Sequence, residues 1–164
     1  MESILTGIAI LSLVFIPYYL FLKNGSSIKN KVDRLIKKEI SSSGLNFTES
    51  ESWSHNFLGI DKEAKKLFFV RVIEDKSESV LVDLSKIKQV RIEKKVEIDK
   101  ENKNNSTLDK LDLVINFHPS GESIIHLFDS DVFYKELNEM KRAEDWVKKI
   151  NTFRITSAVN QKAA

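Results

Sequence analysis

The stretch "IKQVRIEKKVEI" (87–98) alternates between apolar and charged side chains over most of its length. Val90, Ile92, Val96 and Ile98 fall on one face of an extended chain, and four charged side chains fall on the other. A period of two is typical of a strand in an antiparallel sheet with one face in solvent. The stretch therefore predicts a half-exposed strand and indicates that the folded part of the chain is rich in antiparallel sheet.

Further strand signals lie on both sides of this stretch. They are "SHNFLGI" (54–60), "LFFVRVI" (67–73), "VLVDL" (80–84), "LDLVINF" (111–117) and "SIIHLF" (123–128). Polar turns separate them, among them "EDKSES" (74–79) and "HPSGE" (118–122), whereas the polar segment 99–110 predicts a mobile loop. The sequence therefore predicts six or seven short antiparallel strands.

The spacing of apolar residues becomes helical near the C-terminus, from about Val132 to Phe153. The apolar stripe consists of Leu137, Met140, Ala143, Trp146, Val147, Ile150 and Phe153. We expect Ser130 or Asp131 to cap this helix and Trp146 to be buried in its middle. Residues 155–164 have no second apolar face and predict a frayed tail.

This order of strands followed by one helix resembles the pleckstrin-homology-like (PH-like) barrel. The fragments "LGIDKEAKKLFFV" (58–70), "VDLSKIKQVRI" (82–92) and "AEDWVKKI" (143–150) look like bacterial membrane-anchored proteins with a PH-like domain of unknown function. The resemblance covers residues 50–153. It implies an α+β fold in which an antiparallel β-barrel or sandwich is closed by the C-terminal helix.

An apolar segment without charged side chains occupies residues 4–22. As a helix it reaches roughly 28 Å, close to the bilayer core of about 30 Å. The alternative is a cleaved signal peptide, which the acidic start and the lack of a small-x-small cleavage site disfavour. Basic residues follow the segment, so we expect a single-pass inner-membrane protein with its N-terminus outside and its folded domain in the cytoplasm.

A basic amphipathic helix is predicted directly after the anchor. Its apolar positions are Ile28, Val32, Leu35, Ile36 and Ile40, and "SSSG" (41–44) follows as a hinge. The candidate lipid contacts are Lys23, Lys29, Lys31, Arg34, Lys37 and Lys38. Three alternatives remain open: the apolar stripe docks on the following domain, lies in the headgroup region, or forms a coiled coil.

Four segments follow from these patterns. They are an anchor (1–22), a basic helix with its hinge (23–44), a PH-like domain (45–154) and a tail (155–164). The 164 residues are 41% hydrophobic and 30% charged, which is typical of a globular protein rather than a disordered one.

The sequence contains few motifs typical of catalytic, cofactor-binding or metal-binding sites. The five glycines do not cluster into a phosphate-binding loop, and no cysteine exists for disulfide or thiolate chemistry. His55, His118 and His126 lack the spacing of metal ligands, and Asp129 with Asp131 is more typical of a helix cap. We therefore expect no enzyme activity, no catalytic residue, no cofactor and no metal.

The resemblance supplies one further candidate site. Headgroup-binding PH domains place basic residues around the first hairpin, and Lys62, Lys65, Lys66 and Arg71 lie in the corresponding region. An ordinary solvated hairpin is the alternative interpretation.

Two functions remain after these exclusions. PH-like domains also bind peptides at a sheet edge or beside the C-terminal helix. We therefore expect a protein-binding or scaffold module at the membrane surface with an unidentified protein partner, or alternatively a module that binds anionic lipid headgroups. Nucleic acid is not expected as a partner, because the concentrated basic surface lies next to the predicted anchor.

Overall fold

Two antiparallel sheets and two helices make up the described part of the chain in the computed structural model. That part comprises residues 28–98, 106–132 and 138–162 together with Phe15. The elements are α1 (28–43), β1 (Glu49–Trp53), β2 (Asn56–Asp61), β3 (Lys66–Ile73), β4 (Lys76–Asp83), a 3-10 turn (Leu84–Lys86), β5 (Ile87–Ile98), β6 (Ser106–Phe117), β7 (Glu122–Asp129) and α2 (Glu139–Lys162).

The first sheet has the order β1-β2-β3-β4, so each strand pairs with its neighbour in sequence. Two-residue turns join β1 to β2 and β3 to β4, because Trp53 pairs with Asn56 and Ile73 pairs with Lys76. Such short turns need positive φ, which Glu74 and Asp75 adopt at 46° and 68°. The sheet is therefore a meander of tight hairpins.

The second sheet has the order β5-β6-β7 and carries its apolar side chains toward the first sheet. Arg91 lies opposite Val114, and Val114 lies opposite Ile124. Leu113, Ile115 and other alternate side chains of these strands enter the main core. The alternation in residues 87–98 corresponds to one core face and one outer face at Val90 and Ile92. A register shift between Lys95 and Val96 interrupts it, and Val96 is exposed rather than in the core.

Helix α2 covers the main core between the sheets. It contacts β5, β6 and β7, and its Ala143, Trp146 and Ile150 are fully buried. The expected burial of Trp146 is confirmed. The expected cap is wrong: α2 begins at Glu139, and Ser130 and Asp131 form the turn that follows β7. The helix continues to Lys162, into the segment for which the sequence predicts a frayed tail.

Helix α1 packs on the opposite face of the first sheet. Its Val32 and Ile36 are buried against an apolar cluster on β2 and β3, formed by Phe57, Phe68, Val70 and Val72. The apolar stripe of the basic helix therefore docks on the domain, which confirms one of the three open alternatives.

Two glycines shape the connection from α1 into the sheet. Gly44 has a φ of +65° and ends the helix in the conformation that glycine adopts most readily. At Gly59 an added Cβ would lie 2.6 Å from Cδ1 of Phe47, so only glycine lets that ring lie on the sheet.

The predicted closed barrel is wrong. Among the described residues β1 to β4 form one open sheet and β5 to β7 another, and no strand pairing joins them. The turn Leu84–Lys86 carries the chain from one sheet to the other, so β4 and β5 are both sheet edges. Closure needs a continuous ladder of hydrogen bonds around the sheet, which this division interrupts.

The predicted single-pass topology, with an outside N-terminus and a cytoplasmic domain, is also corrected. Within the described ranges no helix is long and apolar enough to cross a bilayer. Both helices carry charged side chains in most of their turns. The expected anchor, residues 4–22, lies outside the described residues except for Phe15.

Candidate functional site

Strand β4 is an outer strand of the first sheet, and one of its two backbone edges points away from β3. The Leu84 N–H donates to the Lys65 carbonyl oxygen at 2.9 Å, which fixes the phase of the β3–β4 ladder. Because successive residues of a strand point their N–H and C=O groups to opposite sides, Val80 and Val82 bond to β3. The backbone groups of Ser77, Ser79 and Leu81 therefore point outward.

The outward edge of β4 is accessible. Glu78, Ser79 and Leu81 are exposed, and Leu81 is 58% exposed despite its aliphatic side chain. Within the described residues, the backbone groups of Ser77, Ser79 and Leu81 that point outward have no hydrogen-bond partner. Natural edge strands usually carry a bulge, a proline or an inward charge that blocks pairing. The middle of β4 contains no proline, and its register with β3 has no bulge.

Helix α1 lies beside this edge on the outer face of the sheet. The Ser77 hydroxyl donates to Oε1 of Glu39 at 2.7 Å, and Lys31 Nζ lies 2.6 Å from Oδ2 of Asp75. Leu81 is on the same face, since it pairs with Phe68, whose ring packs in the α1 cluster. A strand added to β4 would thus meet Leu81 on one face of the sheet, next to α1.

The C-terminal end of β4 is fixed by Asp83. Its carboxylate accepts hydrogen bonds from the Ser85 hydroxyl at 2.6 Å, the Ser85 N–H at 3.0 Å and Lys66 Nζ at 3.1 Å. The hydrogen bond from the Ser85 hydroxyl is the largest effect on the pKa of Asp83, and burial opposes it. Together with Lys66 and the Ser85 N–H, the hydroxyl lowers this pKa to about 2. The strand therefore enters the 3-10 turn with a defined geometry.

Strand β1 forms the other edge of the first sheet and is tied to α2. Glu51 accepts hydrogen bonds from Arg142 Nε at 2.7 Å and from Trp146 Nε1 at 3.0 Å, and the Arg142 guanidinium lies 4.7 Å from the centre of the Trp53 ring. Burial raises the pKa of Glu51, but the hydrogen bonds and charges of Arg142, Trp146 and Lys149 together lower it below its usual range. The side chains of Glu51 and Trp53 on this edge therefore have partners within the chain.

The edges of the second sheet are also contacted by other parts of the chain. Arg154 Nη1 on α2 donates to the carbonyl oxygen of Lys88 at the start of β5. Asn56 Nδ2 on β2 donates to the carbonyl oxygen of Leu127 on β7 at 3.1 Å. Within the described residues, β4 thus combines an outward backbone that has no hydrogen-bond partner with an exposed aliphatic side chain, Leu81.

The basic residues of the first helix share its solvent-facing side. Lys29, Lys31, Arg34, Lys37 and Lys38 are all exposed. Lys23 lies outside the described residues. The structure therefore assembles five of the six candidate lipid contacts on one surface, although Lys31 is engaged by Asp75.

The candidate headgroup residues do not form one cluster. Lys62 pairs with Glu49 at 2.6 Å and Lys66 pairs with Asp83, while Lys65 is exposed in the β2–β3 turn. Arg71 lies five residues farther along β3, roughly 17 Å away from Lys66. Its side chain is buried, and burial lowers the pKa of its guanidinium while the charges of Asp129, Glu78 and Asp112 raise it.

The histidines also lie apart. His126 Nδ1 is 2.8 Å from Oδ1 of Asp112 on the outer face of the second sheet, whereas His55 is in the β1–β2 turn. Within the described ranges, no group of three or more His, Asp or Glu side chains is arranged to hold a metal ion.

Two parts of the first sheet were not predicted as strands from the sequence. Strand β1, "ESESW" (49–53), lies outside the predicted strands because its alternating positions carry glutamate and serine. The first half of β4 falls within "EDKSES", which predicts a polar turn. The serine and glutamate side chains of this half give no strand signal, so the sequence predicts a strand only for the apolar half of β4.

The chain was compared with known protein families, curated proteins and solved structures. No protein-family model, no curated protein and no solved structure matches the chain.

Proposed function

We propose that this domain is a non-enzymatic protein-binding module, and that it binds an extended segment of a partner by strand addition to β4. The observation that carries the proposal is the outward row of backbone groups at Ser77, Ser79 and Leu81, next to the exposed Leu81 side chain. In this mode of recognition, main-chain hydrogen bonds supply affinity and alternate side-chain contacts supply specificity.

The exposed side chains of β4 indicate which side chains a partner segment should carry. On the α1 face, Leu81 favours an apolar side chain directly opposite. On the other face, the exposed Glu78 favours a lysine or arginine, and Val80 beside it is half-buried. A suitable segment therefore has no proline at its paired positions and carries an apolar residue and a basic residue three positions apart.

The proposal is tested by selecting peptides from a random display library on the full chain and measuring their affinity for variants of β4. Ser79→Pro removes one outward N–H and leaves the ladder to β3 intact, because proline is tolerated on edge strands. We expect it to weaken binding at least about tenfold, which corresponds to roughly 1.4 kcal/mol. Ser79→Ala is the matched control and should bind like the parent protein.

A second variant tests the side-chain contact. Leu81→Lys places a charge where natural edge strands often carry one, and we expect it to reduce binding while the thermal midpoint stays within a few degrees. Selected peptides that bind Ser79→Pro and Leu81→Lys as tightly as the parent would show that β4 is not the binding edge.

A second candidate function is contact with anionic phospholipid headgroups, which the basic surface of α1 favours. Such binding is electrostatic, so it should decrease as salt rises. Flotation of the full chain with phosphatidylserine vesicles should then be lost when Lys29, Lys31, Lys37 and Lys38 are replaced by Gln. Flotation that ignores both the salt and these substitutions would exclude this electrostatic contact.

A further inference from the structure

A groove opens at the end of the first sheet that carries the β3–β4 turn. Its walls are the N-terminal end of α1, that turn, His55 in the β1–β2 turn and the turn after β7, and its volume is about 420 Å³. Ligand-binding clefts in proteins commonly have volumes of about 300–1,000 Å³. The groove is therefore large enough to hold one or two side chains of a bound segment.

The floor and part of the walls of the groove are aliphatic. Val32 and Val72 are buried at its base, whereas Ile28 on α1 and Val132 after β7 are 60% and 37% exposed. Large aliphatic side chains gain free energy when they are removed from water. The two exposed side chains on different walls therefore favour an apolar group inserted between them.

The rim of the groove is acidic. Glu74 and Asp75 in the β3–β4 turn and Asp131 after β7 all line it. Lys31 pairs with Asp75 at 2.6 Å and offsets one of these charges. The charge of Lys95 also acts on Asp131. Neither lysine lines the groove, whereas three carboxylates do, so the rim favours a cation over an anionic surface such as a phospholipid headgroup layer or a nucleic acid.

We propose that this groove binds a segment of a partner protein in which an apolar side chain stands next to lysine or arginine. The apolar side chain enters between Ile28 and Val132, and the basic group meets Glu74 or Asp131 at the rim. This site is separate from the outward edge of β4, and it does not depend on strand addition there.

Short peptides of defined chemistry test the proposal. Acetyl-Lys-Leu-Lys-amide carries both features, acetyl-Glu-Leu-Glu-amide reverses the charge, and acetyl-Lys-Ser-Lys-amide removes the apolar group. Each is titrated into the full chain to about 10 mM while the methyl NMR signals of Ile28, Val72, Val132 and Leu81 are followed, since millimolar binding is measurable in this way. We expect saturable shifts at the three groove residues with the first peptide, and at least tenfold weaker responses with the other two.

The turn residues offer a variant that separates binding from stability. Glu74 and Asp75 occupy positive-φ positions that Asn and Gly prefer in two-residue hairpins. Glu74→Asn together with Asp75→Gly should therefore keep or raise the thermal midpoint. The same double variant should bind acetyl-Lys-Leu-Lys-amide several-fold more weakly. Asp131→Asn should lower the affinity for this peptide about two- to fivefold, as expected for the loss of one exposed charge pair. Glu144→Gln on the exposed side of α2 makes the same charge change elsewhere and should have no effect.

Several results would overturn the proposal. They are the absence of shifts up to about 10 mM, equal shifts with the charge-reversed peptide, and unchanged affinity in the Glu74, Asp75 and Asp131 variants. Shifts confined to Leu81 would also overturn it while supporting the β4 edge. The methyl signals of the groove residues could also shift with protein concentration in the absence of peptide. That result would identify a second copy of the chain as the occupant and overturn the proposal of a partner segment.

Discussion

Replacement of Trp146 by alanine tests whether α2 holds the two sheets together. The indole is fully buried in the main core, and its Nε1 donates to Oε2 of Glu51 at 3.0 Å. Truncation of a buried tryptophan to alanine costs about 3–5 kcal/mol. The free energy of unfolding of a domain is about 5–15 kcal/mol, so this loss is a large part of the total.

The assay is denaturation of the full chain in urea, followed by far-UV circular dichroism and linear extrapolation. This signal reports the backbone and is less affected by loss of the indole than tryptophan fluorescence. Trp146→Phe keeps an aromatic ring but removes the hydrogen bond to Glu51, and we expect it to cost about 1–2 kcal/mol. Glu144→Ala, on the exposed side of the same helix, should change stability by no more than about 0.5 kcal/mol.

A small effect would refute this reasoning. If Trp146→Ala lowered the free energy of unfolding by less than about 1 kcal/mol, the indole could not be a packed core residue. Helix α2 would then lie on the sheets without closing the core between them.

Three further predictions concern α1, the first sheet and its C-terminal turn. Ile36→Asp buries a charge against the sheet and should lower the free energy of unfolding in urea by at least about 3 kcal/mol. The control Lys37→Asp, at an exposed position, should lower it by under about 1 kcal/mol. Equal effects of the two substitutions would mean that α1 does not dock on the sheet. Gly59→Ala places a Cβ 2.6 Å from the Phe47 ring and should cost about 1–3 kcal/mol, and an unchanged thermal midpoint would contradict that contact. The pKa of Asp83 is about 2 in the folded protein and is ordinarily 3.8, so its stabilising effect is complete above pH 3.8 and is lost as the pH falls through 2. Asp83→Asn should thus be less stable than the parent above pH 4, with the difference shrinking toward pH 2; a constant difference would argue against this titration.

Local periodicity predicted much of the second sheet and its helix. The alternation in residues 87–98 and the turn "HPSGE" predicted strands and a hairpin that match β5 and the β6–β7 connection. The apolar stripe around Trp146 predicted the buried face of α2. These features depend on side-chain patterns within one element, which a sequence shows directly.

Features that depend on contacts between distant elements could not be predicted in the same way. The apolar stripe of α1 suits a membrane surface as well as a sheet, and only the cluster on β2 and β3 decides between them. The order of strands does not show whether β4 and β5 pair, so the closed barrel was a wrong prediction. The resemblance to PH-like proteins stays a prediction, since no comparison bears on it.

The candidate site was the part least visible in the sequence. A sheet edge is recognised by which backbone groups lack a partner, and backbone groups are the same in every residue. Ser77 and Ser79 carry no side-chain signal of their role, and they lie in a segment that predicted a turn. The acidic groove was equally hidden, because Ile28, Glu74 and Val132 are far apart in the chain.

Residue-resolved amide hydrogen exchange in β4 tests the central claim most directly. In the free full chain, the amides of Glu78, Val80 and Val82 should be protected by β3, whereas those of Ser77, Ser79 and Leu81 should exchange fast. A peptide selected on the full chain should slow the three fast amides and leave the amides of β7 unchanged. Slow exchange at Ser79 and Leu81 in the free monomer, or fast exchange at both when the peptide is bound, would contradict strand addition to β4.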